Sequence, residues 1–497
     1  MEGRAGVDVP AAKRARRGEG VGAGGGEGAC AGGGYGAGGV ARLPSCPPPR
    51  AFWEAHVAAR APCVLGCHPG GHSGGWRAAA RWTDARCAYL RRVAGAELVR
   101  PETRQAAAEE GGERGGAGEG ASARGRPRPA FGAALSQRGA ARPFGEFLDS
   151  VLGGEEGLYL TTEAAGLDRQ GRLTVASAPV PALLAAGDVP LRPALMGRLV
   201  PAAFNLWMGS SREGASSGLH HDYHDNLYVL LRGRKRFRLW PARVTEAMRP
   251  RGEVEAVLPN GRVRYKGGER CRGDGATARD ARRVAELELA AAEEALAKLE
   301  GSEDESAAAR AREAMAEAEA LLDAALDFAV GDVGGDADAA LANDEDDDDE
   351  EEEDGSAADF LLEDDDYDGL FGDSEAAGTE AAGAGDAAAA EEEDLLPHFS
   401  SVGAHDVAVP YAEVEVRAGE MLYLPAGTWH EVISYNSSDG DGCDPAAPGA
   451  SSDAYHLAFN YWFHPPSSDK GTFEKPYEDD LWERDFKLWA ADNGHTN

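Results

Sequence analysis

"SGLHHDYHDNLYVLLRGRKRFRLWP", residues Ser217–Pro241, joins a strand-forming run to a dense cluster of metal-competent side chains. In a strand, side chains two positions apart share a face. His220 and Asp222 form a His/carboxylate pair at that spacing, His221 points the opposite way, and His224 lies further along the first face. Two histidines and one carboxylate on one side of a metal leave the other side open for substrate and dioxygen, which suits Fe(II) oxygen chemistry. The second histidine must come from elsewhere. His430 in "GEMLYLPAGTWHEV" is the best candidate, because it closes an apolar strand bordered by Gly-Glu and Pro-Ala-Gly turns.

The surroundings read as strands. "AAFNLWMGS" (Ala202–Ser210) precedes the quoted stretch, and "VEAVLPNGRVRYKG" (Val254–Gly267) follows it with Asn260-Gly261 as a hairpin signal. Strand character returns at Asp406–Asn436 and Ala454–Pro466. Consecutive strands without intervening helices predict an antiparallel sheet or barrel. Ahead of them, Phe52, Trp53 and Val57 mark a short amphipathic helix, "PCVLG" a buried strand, and "RWTDARCAYLRRV" a helix capped by Thr83. "PFGEFLDSVLGGEEGLYLTT" reads as a helix, a glycine break and a strand carrying Tyr159.

Three regions look different. Residues 1–49 are Gly-rich with few large apolar side chains and predict a disordered tail, and 109–142 predicts a mobile loop. The region 268–398 reads as a helical and acidic disordered insert. It holds a helical hairpin over Asp280–Val330 broken at Gly301-Ser302, an acidic tract at Asp344–Asp354, and a mixed aromatic and acidic stretch at Asp359–Asp373. From Glu313 to Val416 there are 36 acidic residues and no Lys or Arg, so the excess behind the formal charge of −36 has one address, between these two residues. The insert divides one β domain, which is tolerable because loop-closure entropy grows only logarithmically with length.

"NLWMG", "SGLHHDYHDNLYVLLRGRKRFRLWP", "AGEMLYLPAGTWHEV" and "AFNYWF" resemble, in order, successive blocks of the JmjC (cupin-like) Fe(II)/2-oxoglutarate oxygenases. "AFWEAHVAARAPCVL" resembles their entry segment, and the chain is most similar to the small protein-hydroxylase branch. The resemblance implies a mainly β fold: a double-stranded β-helix, or jelly-roll cupin barrel, of eight strands in two facing sheets, with flanking helices. Residues 50–160 would form the N-terminal segment, 161–267 the first half of the barrel and 399–497 the second half with a C-terminal helix. It implies Fe(II) held by His220, Asp222 and His430, and 2-oxoglutarate held by Lys235 with Ser217, Tyr159, Asn226 and Asn460 nearby. Dioxygen is the third reactant. A buried dianion demands a cation; alternation sends Arg234 and Arg236 outward and leaves Lys235 facing in. One departure is Thr428 before Trp429, where the family commonly has two aromatics.

The activity so implied is hydroxylation of a protein side chain, with succinate and CO2 released. Lysine demethylation and a non-catalytic binding module are the alternatives, the latter using the acidic insert to engage a basic protein. Like-charge repulsion disfavours nucleic acid as a partner of that insert. Seven scattered cysteines and the lack of an apolar leader or spanning segment suggest an intracellular, reducing setting, nucleus or cytoplasm, and "AAKRARR" (Ala11–Arg17) tilts this toward the nucleus. Cys63, Cys67, His68 and His72 match no structural zinc spacing and read as buried thiols and a Gly-rich loop. Trp482, Phe486 and Trp489 form a helical stripe that packs on the barrel, with homodimerisation as its other use.

Overall fold

The computed structural model describes residues 39–69, 76–103, 139–162, 167–168, 171–299, 304–334, 396–436, 455–467 and 471–495. The basic run at Ala11–Arg17, most of the 109–142 loop and the acidic stretches within 344–373 lie outside these residues. Seventeen strands are found among them: β1 (Ala41–Leu43), β2 (Cys63–Leu65), β3 (Leu98–Val99), β4 (Glu102–Thr103), β5 (Arg142–Pro143), β6 (Leu158–Thr161), β7 (Pro201–Gly209), β8 (Ala215–Ser216) and β9 (His220–His221) come first. Next are β10 (Asp225–Arg232), β11 (Arg234–Trp240), β12 (Val254–Val257) and β13 (Val263–Tyr265), then β14 (Ala412–Arg417), β15 (Met421–Leu424), β16 (Trp429–Tyr435) and β17 (His456–Phe463).

An eight-stranded sheet runs β1-β2-β15-β10-β17-β7-β6-β4, and a second runs β14-β11-β16-β8 with β9 also on β16. Sequence alternation fits each place. β14, "AEVEVR", buries Ala412, Val414 and Val416 and turns its charges outward, as suits an edge. β10, "DNLYVLLR", is buried throughout, as suits a strand covered on both faces. Between the sheets Val64, Tyr228 and Leu230 meet Phe237, Leu239 and Val416 in one apolar cluster. The insert separates β11 from its neighbours β14 and β16, yet both pair with it in continuous antiparallel register.

A larger core lies on the outer face of the long sheet. Phe204, Phe459 and Tyr461 pack there against Phe486 and Trp489 of the helix Leu481–Asp492. The aromatic stripe is therefore core, and Trp482 joins it. The expected eight-strand count is exceeded because β1, β2, β4 and β6 extend this sheet beyond its central strands.

Several local expectations change. Order begins before Pro49: β1 pairs in parallel with β2, and a disulfide joins Cys46 to Cys67. Cys67 is therefore no free thiol, whereas Cys63 is buried in β2 as expected. The expected Thr83 cap is also displaced. Thr83 donates back to the carbonyl of Ala79, while the Asp84 carboxylate accepts from the amides of Ala88 and Tyr89 and so opens the helix Ala88–Ala94. The helical hairpin is present as Ala278–Ala297 and Glu305–Gly334. Its first helix starts with a reciprocal capping box between Thr277 and Asp280. No helix among the described residues is long and apolar enough to cross a membrane.

Candidate metal centre

His220 and His430 are brought together by strand pairing: β9 runs antiparallel to β16 with His220 opposite His430. Asp222 follows β9 in a tight loop, and its carbonyl accepts from the amide of Gly427 at 2.9 Å. Gly427 has φ +72°, and a Cβ there would lie 1.7 Å from the carbonyl oxygen of Gly261, so glycine is required. Asp225, fully buried at the start of β10, anchors the same loop. It pairs with Arg60 and accepts from the Tyr423 hydroxyl at 2.7 Å and the Ala426 amide at 2.9 Å.

The donor atoms converge. His220 Nδ1 lies 3.0 Å from the Gly218 carbonyl and His430 Nδ1 2.8 Å from that of Thr428. Both Nδ1 atoms must carry the proton to make these bonds, so both Nε2 lone pairs are left for a metal. Those Nε2 atoms are each 3.9 Å from an Asp222 carboxylate oxygen. Among the described residues, this is the group of three or more His, Cys, Asp or Glu whose ligating atoms lie within 4.8 Å of one another. Burial, then the proximity of His430, holds His220 far below the ordinary imidazole range; burial raises Asp222, which His430 and Asn226 partly offset. Neutral imidazoles beside a desolvated carboxylate are what a divalent cation requires of its ligands.

A hydrogen-bonded chain holds the carboxylate. Trp207 Nε1 donates to Asn460 Oδ1 at 3.1 Å, Asn460 Nδ2 to Asn226 Oδ1 at 3.0 Å, and Asn226 Nδ2 to Asp222 Oδ2 at 3.3 Å. Asn226→Ala is expected to weaken metal affinity by roughly 10- to 100-fold, as loss of a supporting residue does. Titration of Mn(II) into wild type and variant checks this; equal affinities would make the chain incidental.

Lys235, fully buried on β11, has Ser434 Oγ at 2.5 Å, His456 Nδ1 at 3.3 Å and Tyr159 Oη at 3.4 Å. Ser217 is bonded to backbone instead. Its hydroxyl donates to the Gly218 carbonyl and accepts from the Val432 amide. Ser434 and His456 were not singled out by sequence reasoning. Their signal lies in pairing, since Ser434 is Lys235's partner across β11 and β16.

Ser217, Tyr159, Asn226, Asn460 and the three candidate ligands all line one cavity of about 670 Å³. That is ample for a small cosubstrate and one residue of a larger molecule. The insert's return forms part of its wall, which the boundary at residue 398 did not anticipate. Ser400 and His398 make backbone hydrogen bonds with Leu219 and His221, Phe399 with Arg251, and Pro397 with Gly252. Phe399 thereby stacks on His220, ring centroids 4.9 Å apart. On the far face of β9, His221 accepts from or donates to the Tyr265 hydroxyl at 2.7 Å and packs edge-on against Trp429.

Burial depresses neighbouring histidines as well: His398 to about 4, and His224 to about 3 with help from Arg262. An imidazole lowered on folding contributes stability that is present above the unfolded value near 6.5 and is lost as pH falls through the folded value. The metal-free protein is therefore expected to lose melting temperature steeply from about pH 6.5 toward pH 4. His398→Gln should flatten that loss; an unchanged profile would exclude His398 as a contributor.

Comparison with known proteins agrees with this geometry. A family model described as "Cupin-like domain" matches residues 49–469. The chain is also 33% identical over 371 residues to "JmjC domain-containing protein 4" of Schizosaccharomyces pombe, covering 68% of this chain and 72% of that protein.

Proposed function

Because the chain belongs to the cupin-like domain family and has a JmjC domain protein as a homologue, we propose that it is an Fe(II)- and 2-oxoglutarate-dependent dioxygenase that hydroxylates a protein side chain. The observation that carries the reading is the convergence of His220 Nε2, His430 Nε2 and the Asp222 carboxylate inside the cavity. Bound Fe(II) supplies the oxidising chemistry, by which 2-oxoglutarate and O2 become succinate and CO2 while a substrate C–H becomes C–OH.

The chain's residues supply the rest. His220, Asp222 and His430 would hold the metal from one side, with Gly218 and Thr428 fixing both imidazole tautomers. Asn226 and Asn460 orient the carboxylate. Lys235 would bind the far carboxylate of 2-oxoglutarate, helped by the hydroxyl of Tyr159 or Ser434. Phe399 and Trp462 help wall the cavity and exclude water from the reacting centre. A protein substrate suits a cavity larger than the cosubstrate needs.

Succinate formation from 2-oxoglutarate by the full chain with Fe(II), ascorbate and O2 tests this, with formaldehyde followed in parallel. Wild type is expected to turn over slowly alone and His220→Ala not at all. Formaldehyde released from methylated peptides would replace hydroxylation with demethylation. Equal silence of both proteins, with no melting shift from metal or 2-oxoglutarate, would leave a binding module.

A further inference from the structure

Beyond the metal ligands the cavity continues along β13 and the start of the helix Ala278–Ala297, where several guanidinium groups line it. Most of these charges are answered within the chain. Arg172 meets Asp168, Arg264 meets Glu255, Arg279 meets Glu269 and Arg283 meets Asp485. Arg262 pairs with no carboxylate among the described residues.

Neutral groups hold Arg262 in place instead. Its Nη1 donates at 3.1 Å to the carbonyl of Tyr223, the residue immediately after Asp222. Its guanidinium carbon lies 5.2 Å from the centroid of the Tyr223 ring. Against it lies Gly275, φ +93°, where a Cβ would sit 2.7 Å from Nη1, so the backbone can approach this closely only as glycine. Its Nε–H is buried without an acceptor. A guanidinium stays charged at any working pH, and partial burial without a counter-charge disfavours it. With one donor used on Tyr223, its planar fork still offers a bidentate face suited to a carboxylate.

From this we infer that Arg262, held on the carbonyl of Tyr223 next to the metal ligand Asp222, receives a carboxylate carried by the substrate protein and so sets which segment presents its side chain for oxidation. The oxidation itself rests on the oxygenase reading; the carboxylate site does not. The carboxylate comes from an Asp or Glu side chain or from a chain terminus, and Arg262 acts as a positioning residue.

The test uses the full chain and fluorescein-labelled nonapeptides of Ala and Ser, carrying Asp, Asn or Ala at each successive position, as free acids and as C-terminal amides. Anisotropy reads binding. Wild type is expected to prefer Asp over Asn at one register by roughly tenfold or more, or the free acid over the amide if the terminus is what binds. Arg262→Gln should bring that ratio to about one, and Arg262→Lys, which keeps the charge without the fork, should leave part of it. With a peptide that supports succinate formation, Arg262→Gln should raise KM and spare kcat. The assignment is overturned if no peptide shows the preference, or if the Asp/Asn ratio survives in a folded Arg262→Gln protein. A preference that depends on Arg262 in a protein forming no succinate would retain the carboxylate site and remove the oxygenase reading.

Discussion

Asp222→Ala is expected to abolish succinate formation and to weaken Mn(II) or Fe(II) binding by more than the roughly 10- to 100-fold that loss of a supporting residue costs. It removes the one carboxylate from a donor set whose two imidazole rings already stand 4.3 Å apart. His220 and His430 would remain as a two-point neutral chelate, with nothing to offset the cation's charge. The metal-free fold should not suffer. Burial raises the Asp222 carboxyl above its ordinary range, so its ionised form opposes folding. For such a group the sign runs one way: the cost is absent below the ordinary carboxylate range and grows as pH rises through the folded value. At neutral pH the metal-free variant should therefore melt at or above the wild-type temperature, and at acid pH the two should converge. Metal reverses the order, since a ligand at a hundred times its Kd stabilises by about 2.7 kcal/mol. Melting curves with and without Mn(II) at several pH values decide the matter. A variant that kept the wild-type metal shift would remove Asp222 from the site.

What the sequence disclosed follows from which interactions are local. His220 and Asp222 are legible because they lie within three residues of each other, although Asp222 sits in the loop after β9 and not in the strand, and Lys235 because its flanking arginines must alternate away from it. Ser434 and His456 are not, because only the register of β11 on β16 and the packing of β17 bring them to Lys235. The packing of the insert's first helix is hidden for a related reason. "DARRVAELELAAAEEALA" has the composition of a solvated helix, yet Arg283 and Val284 are buried against the domain and Arg283 pairs with Asp485, 202 positions away. Cys46 and Cys67 looked like two unrelated thiols until β1 paired with β2 and set their Cα atoms 5.8 Å apart. Nothing local marks Arg262 either, because a residue directly after an Asn-Gly turn gives no sign that it lines a cavity.

The second large effect concerns Lys235. A lysine ammonium with no exposed surface is expensive to desolvate, and here it is held among a hydroxyl, an imidazole nitrogen and a phenol rather than being withdrawn to solvent. If its task is to bind the far carboxylate of 2-oxoglutarate, Lys235→Met should raise the KM for 2-oxoglutarate by roughly 30- to 5,000-fold, the range for truncating one partner of a buried charge pair. Ser434→Ala, which removes a bond to the charged group, should have a smaller effect of the same sign. The unliganded melting temperature separates binding from architecture. Methionine approximates the lysine stem and relieves the desolvation of a charge, so the Lys235→Met protein should melt no lower than wild type while losing the upward shift that 2-oxoglutarate gives. A protein that loses its unliganded stability but keeps the 2-oxoglutarate shift would make Lys235 a structural group linking β11, β16 and β17. The cosubstrate's cation would then have to be sought on the cavity wall itself, whose lining does not include Lys235.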